Sequence, residues 1–371
     1  MEIICNREML TDAINIVSKA VSTRSALNVL EGICIRAEDD KKVVLTGNDL
    51  DVAIEAVIDA EVKEAGAIVL NAKMLLSIMR TLTEEKVYIT VNEKNMTLIK
   101  NGNAKFEING IKAEEFPEFP VVDPEYSIEV EREKFKEMVE KTIFSVSFSD
   151  NKPVLTGCYL EGTEDGLRMV AVDGYRVAIR NVKTETKFER NGVIIPSKSL
   201  NEMTKILKDS DEPLVINCTS KNAMFLFDNY RMSTRLIEGE YINYKSIIPQ
   251  NFELIVECPT AALMDSVSRA SLIITNDMNK SPVKFNIEDE NIKVSCETMA
   301  GSVDDNIPVS MPEKSLEIGF NHVYLLDALR ACDSENVMLK FNTNTTPMII
   351  TGTENDETFL YLILPMRMKA E

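Results

Sequence analysis

Residues that could carry out catalysis are few and far apart in this chain. The only histidine is His322, which excludes a metal site built from several histidines and leaves no obvious general base. Neither the phosphate-binding pattern G-x-x-x-x-G-K-[ST] nor the dinucleotide-binding pattern G-x-G-x-x-G occurs. A small-molecule enzyme would have to rely on Asp173, Asp304 and Asp305. The sequence therefore predicts a protein that is not an enzyme and that uses no cofactor.

The seven cysteines form no metal-binding or redox pattern. They are scattered, include no C-x-x-C pair, and several lie in apolar runs such as Ile33-Cys34-Ile35. This distribution is typical of small buried thiols in a reducing compartment, and we predict no metal site.

The net charge of −19 argues against tight binding driven by phosphate contacts. It does not exclude a protein that encloses nucleic acid without gripping it, because the placement of the basic residues then matters more than their sum. Basic residues recur on or beside the predicted helices, and two of them, Lys73 and Lys198, lie 125 residues apart. They could form a weakly basic concave face, although solvated helices commonly carry such residues.

No apolar run approaches the ~20 residues that cross a bilayer, so we predict no membrane association. The N-terminal segment MEIICNREML lacks the basic start and long apolar stretch of a signal peptide. We therefore expect a cytoplasmic protein.

Segments of the chain repeat at an offset of 125 residues. Leu30-Glu31-Gly32 is matched by Leu155-Thr156-Gly157, and Val52-Ala53-Ile54 is matched by Val177-Ala178-Ile179. Because 371 residues divide into three such lengths, the repeat predicts three similar modules. We place them at residues 1–123, 124–249 and 250–371, with linkers near Val122-Asp123-Pro124 and Ile248-Pro249-Gln250.

Each module contains two similar halves, and each half reads as one helix with several mostly antiparallel strands. In the second module, for example, Phe135, Met138, Val139, Thr142 and Ile143 follow the helix period. Six such halves predict an α+β fold arranged as a quasi-symmetric array, with helices on one face and sheets able to join edge to edge on the other. Such an array needs capped ends or closes on a copy of itself.

The C-terminal segment is strongly apolar. Residues 360–364 read as a final core strand, and pairing should stop at Pro365. Met366-Arg367-Met368 is therefore the better candidate for the wall of a peptide groove, where flexible methionines adapt to varied partners.

The chain resembles the bacterial beta sliding clamps over its whole length. The resemblance rests on the three-fold repeat and on Lys152-Pro153-Val154-Leu155, Asp173-Gly174-Tyr175-Arg176, Arg235-Leu236-Ile237-Glu238-Gly239 and Pro365-Met366-Arg367. It implies a head-to-tail homodimeric ring of six half-domains, with helices lining the hole and sheets forming the rim. It also implies a non-catalytic processivity factor of DNA polymerase III that encircles double-stranded DNA.

The resemblance further implies a groove between the second and third modules that receives short apolar peptides of partner proteins. These partners would be the catalytic subunit of the replicative polymerase, the clamp-loader ATPase, and repair and translesion polymerases. Arg176 and Arg367 would contact the rim or carboxylate-bearing parts of the peptide. The groove residues implied are Leu155, Val172, Gly174, Tyr175, Arg176, Val177, Ile242, Ile247, Asn321, Tyr324, Leu364, Pro365, Met366, Arg367 and Met368.

The same resemblance implies residues for ring closure and for the surface that faces DNA. The ring interface would use Lys105, Phe106 and Ile108 of the first module against Leu272 and Ile273 of the third. The candidates that face DNA are Arg24, Lys73, Arg80 and Lys198.

Two other hypotheses belong to different classes of protein. One is the small-molecule enzyme with an aspartate-based site between modules. The other is a repeat scaffold that binds proteins through the same groove but never encircles DNA.

Overall fold

The computed structural model describes residues 1–22, 24–38, 41–121, 123–149, 151–184, 192–274, 281–310, 314–353 and 356–368. Val122 of the first predicted linker lies outside these residues. Within them, no helix combines the length and the apolar character needed to cross a membrane.

All three modules follow one order of elements: a strand, a helix, four strands, a second helix and three strands. The first module contains β1 (Glu2–Asn6), α1 (Arg7–Val17), β2 (Gly32–Ala37), β3 (Lys42–Asn48), β4 (Val52–Glu64), β5 (Gly66–Asn71), α2 (Ala72–Met79), β6 (Lys86–Val91), β7 (Met96–Asn101) and β8 (Ala104–Asn109).

The second module repeats this order with β9 (Tyr126–Val130), α3 (Arg132–Glu140), β10 (Gly157–Gly162), β11 (Gly166–Val172), β12 (Arg176–Lys183), β13 (Val193–Pro196), α4 (Ser197–Ile206), β14 (Leu214–Cys218), β15 (Asn222–Phe227) and β16 (Tyr230–Arg235). The third contains β17 (Leu254–Pro259), α5 (Thr260–Ile274), β18 (Val283–Glu288), β19 (Asn291–Thr298), β20 (Gly301–Pro308), β21 (Leu316–Phe320), α6 (His322–Ala331), β22 (Asn336–Phe341), β23 (Met348–Thr351) and β24 (Phe359–Ile363).

The predicted helix face of the second module is buried, but the helix is shorter than the pattern suggests. Phe135, Met138 and Val139 lie in the core, whereas α3 ends at Glu140. Thr142 follows the helix with φ −128 and its hydroxyl donates to the carbonyl of Met138 at 2.6 Å. A side chain that competes for the helix's own carbonyls in this way favours a helix end.

Asparagine caps explain where three of the helices begin. The side-chain oxygens of Asn6, Asn71 and Asn321 accept hydrogen bonds from the first turns of α1, α2 and α6. Such caps satisfy amide groups that have no partner within the helix, and each contributes roughly 1 kcal/mol.

Strand pairing is antiparallel throughout the described residues. The chain divides into two compact units, and the second module contributes to both. One unit is Met1–Arg132 with Lys198–Leu236 and holds a 12-stranded sheet. The other is Glu133–Ser197 with Ile237–Glu371 and holds an 8-stranded and a 4-stranded sheet.

Neighbouring modules join by edge-to-edge strand pairing, as the sequence predicts. In the first unit β4 pairs with β16, which joins the first module to the second. In the second unit β12 pairs with β24, which joins the second module to the third. We call these pairings the first junction and the second junction.

The strand register shows which residues of the first two modules are equivalent. In β2 and β10 equivalent residues are 125 positions apart, as predicted. In β3 and β11, and in β4 and β12, the offset falls to 124, so Glu55 corresponds to Ile179. The β2–β3 loop is one residue longer than the β10–β11 loop, which accounts for the change. The matched triplets Val52-Ala53-Ile54 and Val177-Ala178-Ile179 are thus one residue out of structural register, and the prediction of a uniform offset is wrong there.

Candidate functional site

A tight turn between β11 and β12 forms one edge of the predicted groove. The Asp173 side chain accepts hydrogen bonds from the backbone amides of Tyr175 at 2.9 Å and Arg176 at 3.1 Å. Gly174 sits at the tip with φ +94, a conformation that L side chains rarely adopt. The turn leaves the Tyr175 ring 61% exposed.

Arg176 ties this turn to the third module. Its guanidinium donates to Asp173 at 2.8 Å, to Asp327 on α6 at 2.7 Å and to the carbonyl oxygen of Phe144. It also lies 4.4 Å from the centroid of the Tyr324 ring. Only 7% of Arg176 is exposed. These three bonds use three of the five guanidinium N–H groups within the chain, and the contact of Arg176 with a peptide stays a prediction.

Two tyrosines line the same edge. The rings of Tyr175 and Tyr324 stack with centroids 6.3 Å apart and an angle of 24° between their planes. Burial raises the pKa of Tyr324 above its ordinary value, and the nearby Asp173 carboxylate adds to the effect. The Tyr324 hydroxyl is therefore protonated at neutral pH, and the two rings together offer flat aromatic surface.

The C-terminal segment forms the opposite wall. Past β24, the amide of Leu364 donates to the carbonyl of Tyr175 at 2.9 Å, and the amide of Met366 donates to the carbonyl of Gly319 at 2.8 Å. A Cβ added at Gly319 would lie 3.2 Å from the side chain of Met368, so the small residue lets the segment approach. The strand ends at Ile363, just before Pro365. The prediction that pairing stops at Pro365 is wrong, because Met366 forms an isolated antiparallel bridge with Gly319 on another strand.

Four of the apolar groove residues share one cluster on the face of the 8-stranded sheet opposite to α5 and α6, which we call the outer face. Leu155, Val172 and Val177 are buried together there, and Ile242 packs against them. Ile247 is 46% exposed. The structure thus brings these four predicted residues into one cluster, whereas the Asn321 side chain serves as the cap of α6.

Three residues of this site were missed from the sequence. Phe144, Asp327 and Gly319 carry no motif, and each contacts the site only through the tertiary fold. The one available signal was the repeat. Val69, Ile194 and Gly319 are spaced by 125 residues, and each receives a backbone contact from the segment that follows the last strand of its module.

The residues predicted to face DNA differ in their surroundings. Arg24, Lys73 and Arg80 are exposed. Lys198 is also largely exposed, but its ammonium group lies 2.6 Å from the carboxylate of Asp49. The charge of Lys198 is therefore partly neutralised within the chain.

The residues predicted for the ring interface lie on or near free sheet edges. Lys105, Phe106 and Ile108 are on β8, which ends the 12-stranded sheet, and β20 ends the 4-stranded sheet. On α5, which packs on β20, Leu272 is 73% exposed and Ile273 is half-buried. Unpaired edges of this kind present rows of amide and carbonyl groups to a further strand.

The aspartates of the enzyme hypothesis have other roles. Asp173 caps a turn, Asp304 pairs with Lys293 at 3.1 Å, and Asp305 pairs with Arg269, whose guanidinium lowers the pKa of that carboxyl. Among the described residues, no three of the histidine, cysteine, aspartate and glutamate side chains are grouped to hold a metal ion. The geometry offers no catalytic constellation in this part of the chain.

Comparisons with known proteins match the chain from end to end. Family models of the DNA polymerase III beta subunit match residues 1–120 (N-terminal domain), 129–243 (central domain) and 245–367 (C-terminal domain). Curated relatives named "Beta sliding clamp" include those of Halalkalibacterium halodurans and Bacillus subtilis. Each is 33% identical and aligns with 99% of this chain and 100% of the relative.

Solved structures show the same fold. The DNA polymerase sliding clamp of Bacillus subtilis matches with a TM-score of 0.95 and 31% identity over 100% of both chains. The DNA polymerase beta subunit of Streptococcus pyogenes matches with a TM-score of 0.93 and 26% identity over 99% of this chain and 100% of the other. With its three domains of antiparallel sheets and few helices, the chain belongs to the DNA polymerase III beta subunit family, the bacterial beta sliding clamps.

Proposed function

We propose that two copies of this chain close head to tail into a ring that encircles double-stranded DNA and tethers the replicative polymerase through the groove of the second junction. Family membership supports a DNA sliding clamp and a non-catalytic processivity factor. Ring closure, the groove and the residues assigned to each are the proposal. The module boundaries at 123/124 and 249/250 also stay predictions.

The observation that carries the ring is the pattern of used and unused strand edges. At each internal junction, the fourth strand of one module pairs with the last strand of the next module. The equivalent strands left at sheet ends are β20 of the third module and β8 of the first. A second copy would supply the missing partner for each edge, and two such pairings would close a dimer.

The repeat also predicts the register in which β20 of one copy would pair with β8 of the other. At the first junction Glu55 faces Arg231, and their side chains form an ion pair at 2.7 Å. The equivalent residues in β20 and β8 are Asp304 and Lys105. We therefore expect Asp304 of one copy to face Lys105 of the other and to leave its exposed intrachain contact with Lys293.

Charge reversal tests both the ring and its register. Lys105→Glu should weaken the dimer, since it places two carboxylates opposite each other, and Lys105→Glu with Asp304→Lys should restore it. Sedimentation velocity over a dilution series gives the dimer affinity. Lys94→Glu, in an exposed turn of the same module, is the matched control. Failure of the double variant to recover would refute the register, and a wild-type monomer at all concentrations would refute the ring.

The groove assignment is supported by one apolar cluster that includes Leu155, Val172 and Val177, by the neighbouring pair of tyrosines and by the backbone contacts of the C-terminal segment. An extended apolar peptide fits such a surface, because main-chain groups lie on both walls. Met366→Ala with Arg367→Ala should abolish binding of a fluorescent apolar peptide from the cognate polymerase and leave the dimer intact. Unchanged peptide affinity would refute the groove.

Enclosure of DNA is tested separately from peptide binding. The combined reversals Arg24→Glu, Lys73→Glu and Lys198→Glu should reduce DNA-dependent stimulation of the polymerase and should weaken its dependence on salt. Arg80→Glu extends the set. Full stimulation by the triple variant would favour a protein-binding scaffold that does not encircle DNA. The clamp-loader ATPase and the repair and translesion polymerases would use the same groove.

A further inference from the structure

A second cavity of about 800 Å³ opens on the outer face of the 8-stranded sheet in the second unit. Its floor is apolar and spans five neighbouring strands, from β12 across β24, β23 and β22 to β17. The floor residues are Ile179, Leu360, Ile349, Met338 and Ile255. Ile255 is 38% exposed, which is unusual for an isoleucine on a sheet.

The cavity floor lies on the same sheet face as part of the predicted groove. Val177 and Ile179 lie two residues apart on β12, and Leu362 and Leu360 lie two residues apart on β24. Two residues on one face of a strand are about 7 Å apart. The floor residues Ile179, Ile349 and Leu360 belong to the same apolar cluster as the predicted groove residues. The groove residues in that cluster are Leu155, Val172, Val177 and Ile242, and the segment from Ile242 to Phe252 packs on it.

Two lysines line the cavity, Lys245 on that segment and Lys340 on β22 of the sheet. Lys340 lies 5.8 Å from the centroid of the Phe252 ring and has no carboxylate partner among the described residues. Lys245 lies 3.4 Å from Glu161, and both are partly exposed. In a chain with a net charge of −19, an uncompensated lysine beside an apolar floor favours an anionic ligand.

The opposite wall carries two acidic residues. Burial raises the pKa of Asp356, but its carboxylate accepts hydrogen bonds from the amide and hydroxyl of Thr358 and from Ser334, and the pKa is lowered overall. Glu357 stands beside it. An anionic group of a ligand is therefore expected next to Lys340 and away from this wall.

At the first junction, charged side chains occupy the equivalent surface. The residues equivalent to Ile179 and Leu360 are Glu55 and Arg231, which form an ion pair, and the Arg231 guanidinium lies 4.5 Å from the ring of Phe119. The equivalent surface is thus covered by an ion pair at the first junction, whereas at the second junction it is apolar and open.

We propose that this cavity binds an acidic and apolar segment that flanks the groove-binding peptide of a partner protein. The inference rests on the proposed groove. A partner held in the groove would place the residues beside its motif over the cavity, where an apolar side chain would cover the isoleucines and a carboxylate would pair with Lys340.

Methyl NMR of isoleucine-labelled dimer tests the cavity directly. The probes are the peptides acetyl-Asp-Leu-Phe-Asp-amide and acetyl-Lys-Leu-Phe-Lys-amide. The acidic peptide should shift the methyl signals of Ile179, Ile255 and Ile349 with at least five-fold higher affinity than the basic one. Lys340→Glu should remove that preference, whereas Lys284→Glu, on the 4-stranded sheet, should keep it. Equal affinities, or shifts confined to Ile242 and Ile247, would overturn the proposal.

A fused peptide measures the link to the groove. Joining the acidic segment to the polymerase-derived peptide should raise affinity by about ten-fold or more, because the second contact becomes intramolecular. Lys340→Glu with Ile255→Asp should cancel the gain and leave the affinity of the unextended peptide unchanged. A gain that survives both changes refutes the cavity. Loss of the groove signals at Ile242 and Ile247, with the cavity signals kept, would instead refute the groove.

Discussion

The first and second junctions use the same turn with different residues. In the first module Asp49 accepts from the amides of Asp51 and Val52, just as Asp173 does one module later. The tip residue has positive φ in both, +79 at Leu50 and +94 at a glycine in the second module. The turn is therefore determined by the capping aspartate, and the tip residue only has to tolerate the conformation.

The two junctions differ in the partner of the second carboxylate oxygen of each capping aspartate. At the first junction it meets the ammonium of Lys198, which remains largely exposed. At the second it meets Arg176, which is buried and also binds Asp327. The cations of the first junction thus remain partly exposed while their carboxylate partners are largely buried, whereas the arginine of the second junction is itself buried.

The segment that follows the last strand also differs between the first two modules and the third. In the first two modules the chain continues past its last strand and buries Phe116 or Tyr241 against the outer sheet face. In the third module the equivalent segment is the C-terminal one, and Met366 makes the corresponding contact with Gly319. The C-terminal segment, which is equivalent to the linkers after the first two modules, is thus a wall of the candidate groove.

The largest expected effect comes from removing the buried arginine of the second junction. Arg176→Ala leaves Asp173 and Asp327 partly buried without their cation, which should cost about 2–4 kcal/mol. Faster hydrogen exchange in β12 and β24 and a lower Tm are the readouts. Arg176→Ala with Asp327→Asn should recover part of the loss. Unchanged exchange in both strands would show that the arginine does not hold the junction.

A smaller and asymmetric effect is expected at the first junction. Arg231→Leu leaves the nearly buried Glu55 carboxylate unpaired and should cost about 1–3 kcal/mol. Glu55→Leu leaves an arginine that reaches solvent and should cost less than about 1 kcal/mol. Glu55→Ile with Arg231→Leu copies the second junction and should return Tm close to wild type. Equal losses from the two single changes would contradict this account.

The turn tips should respond in opposite directions. Leu50→Gly relieves an unfavourable backbone conformation and should stabilise the first unit by about 1 kcal/mol. Gly174→Leu should destabilise the second unit by a similar amount, although there is open space for a side chain. Tm and local hydrogen exchange report both. Destabilisation by Leu50→Gly would show that the leucine side chain contributes more than its backbone costs.

The smallest effect on stability is expected for Lys198→Ala. Because the lysine is largely exposed, its ion pair with Asp49 should contribute less than about 1 kcal/mol. If Lys198 also faces DNA, its loss should lower the salt dependence of clamp activity by about one counterion. Asp49→Asn separates the roles, since it frees the lysine charge. A large loss of stability would make Lys198 a structural residue.

Much of the fold could be predicted because it depends on local patterns. The order of strands and helices follows from apolar periodicity, and the three-fold repeat shows that one solution is used three times. The prediction of a uniform offset failed after the β2–β3 loop, which is one residue longer than the β10–β11 loop. The extra residue shifts the structural equivalence of the following strands to an offset of 124, although the triplets still match at 125 in the sequence. Likewise α3 ends early because a threonine hydroxyl binds the helix carbonyls.

The sequence by itself determined the three-fold element order, the apolar strands and helix faces, and the absence of a histidine-rich or nucleotide-binding motif. These follow from residue type and spacing along the chain. Only the tertiary structure decided that Arg176 holds the second junction together and that a cavity opens beside the groove. Both depend on Asp327, Phe252 and Lys340, which are distant in sequence and approach these residues only when strands from different modules pair.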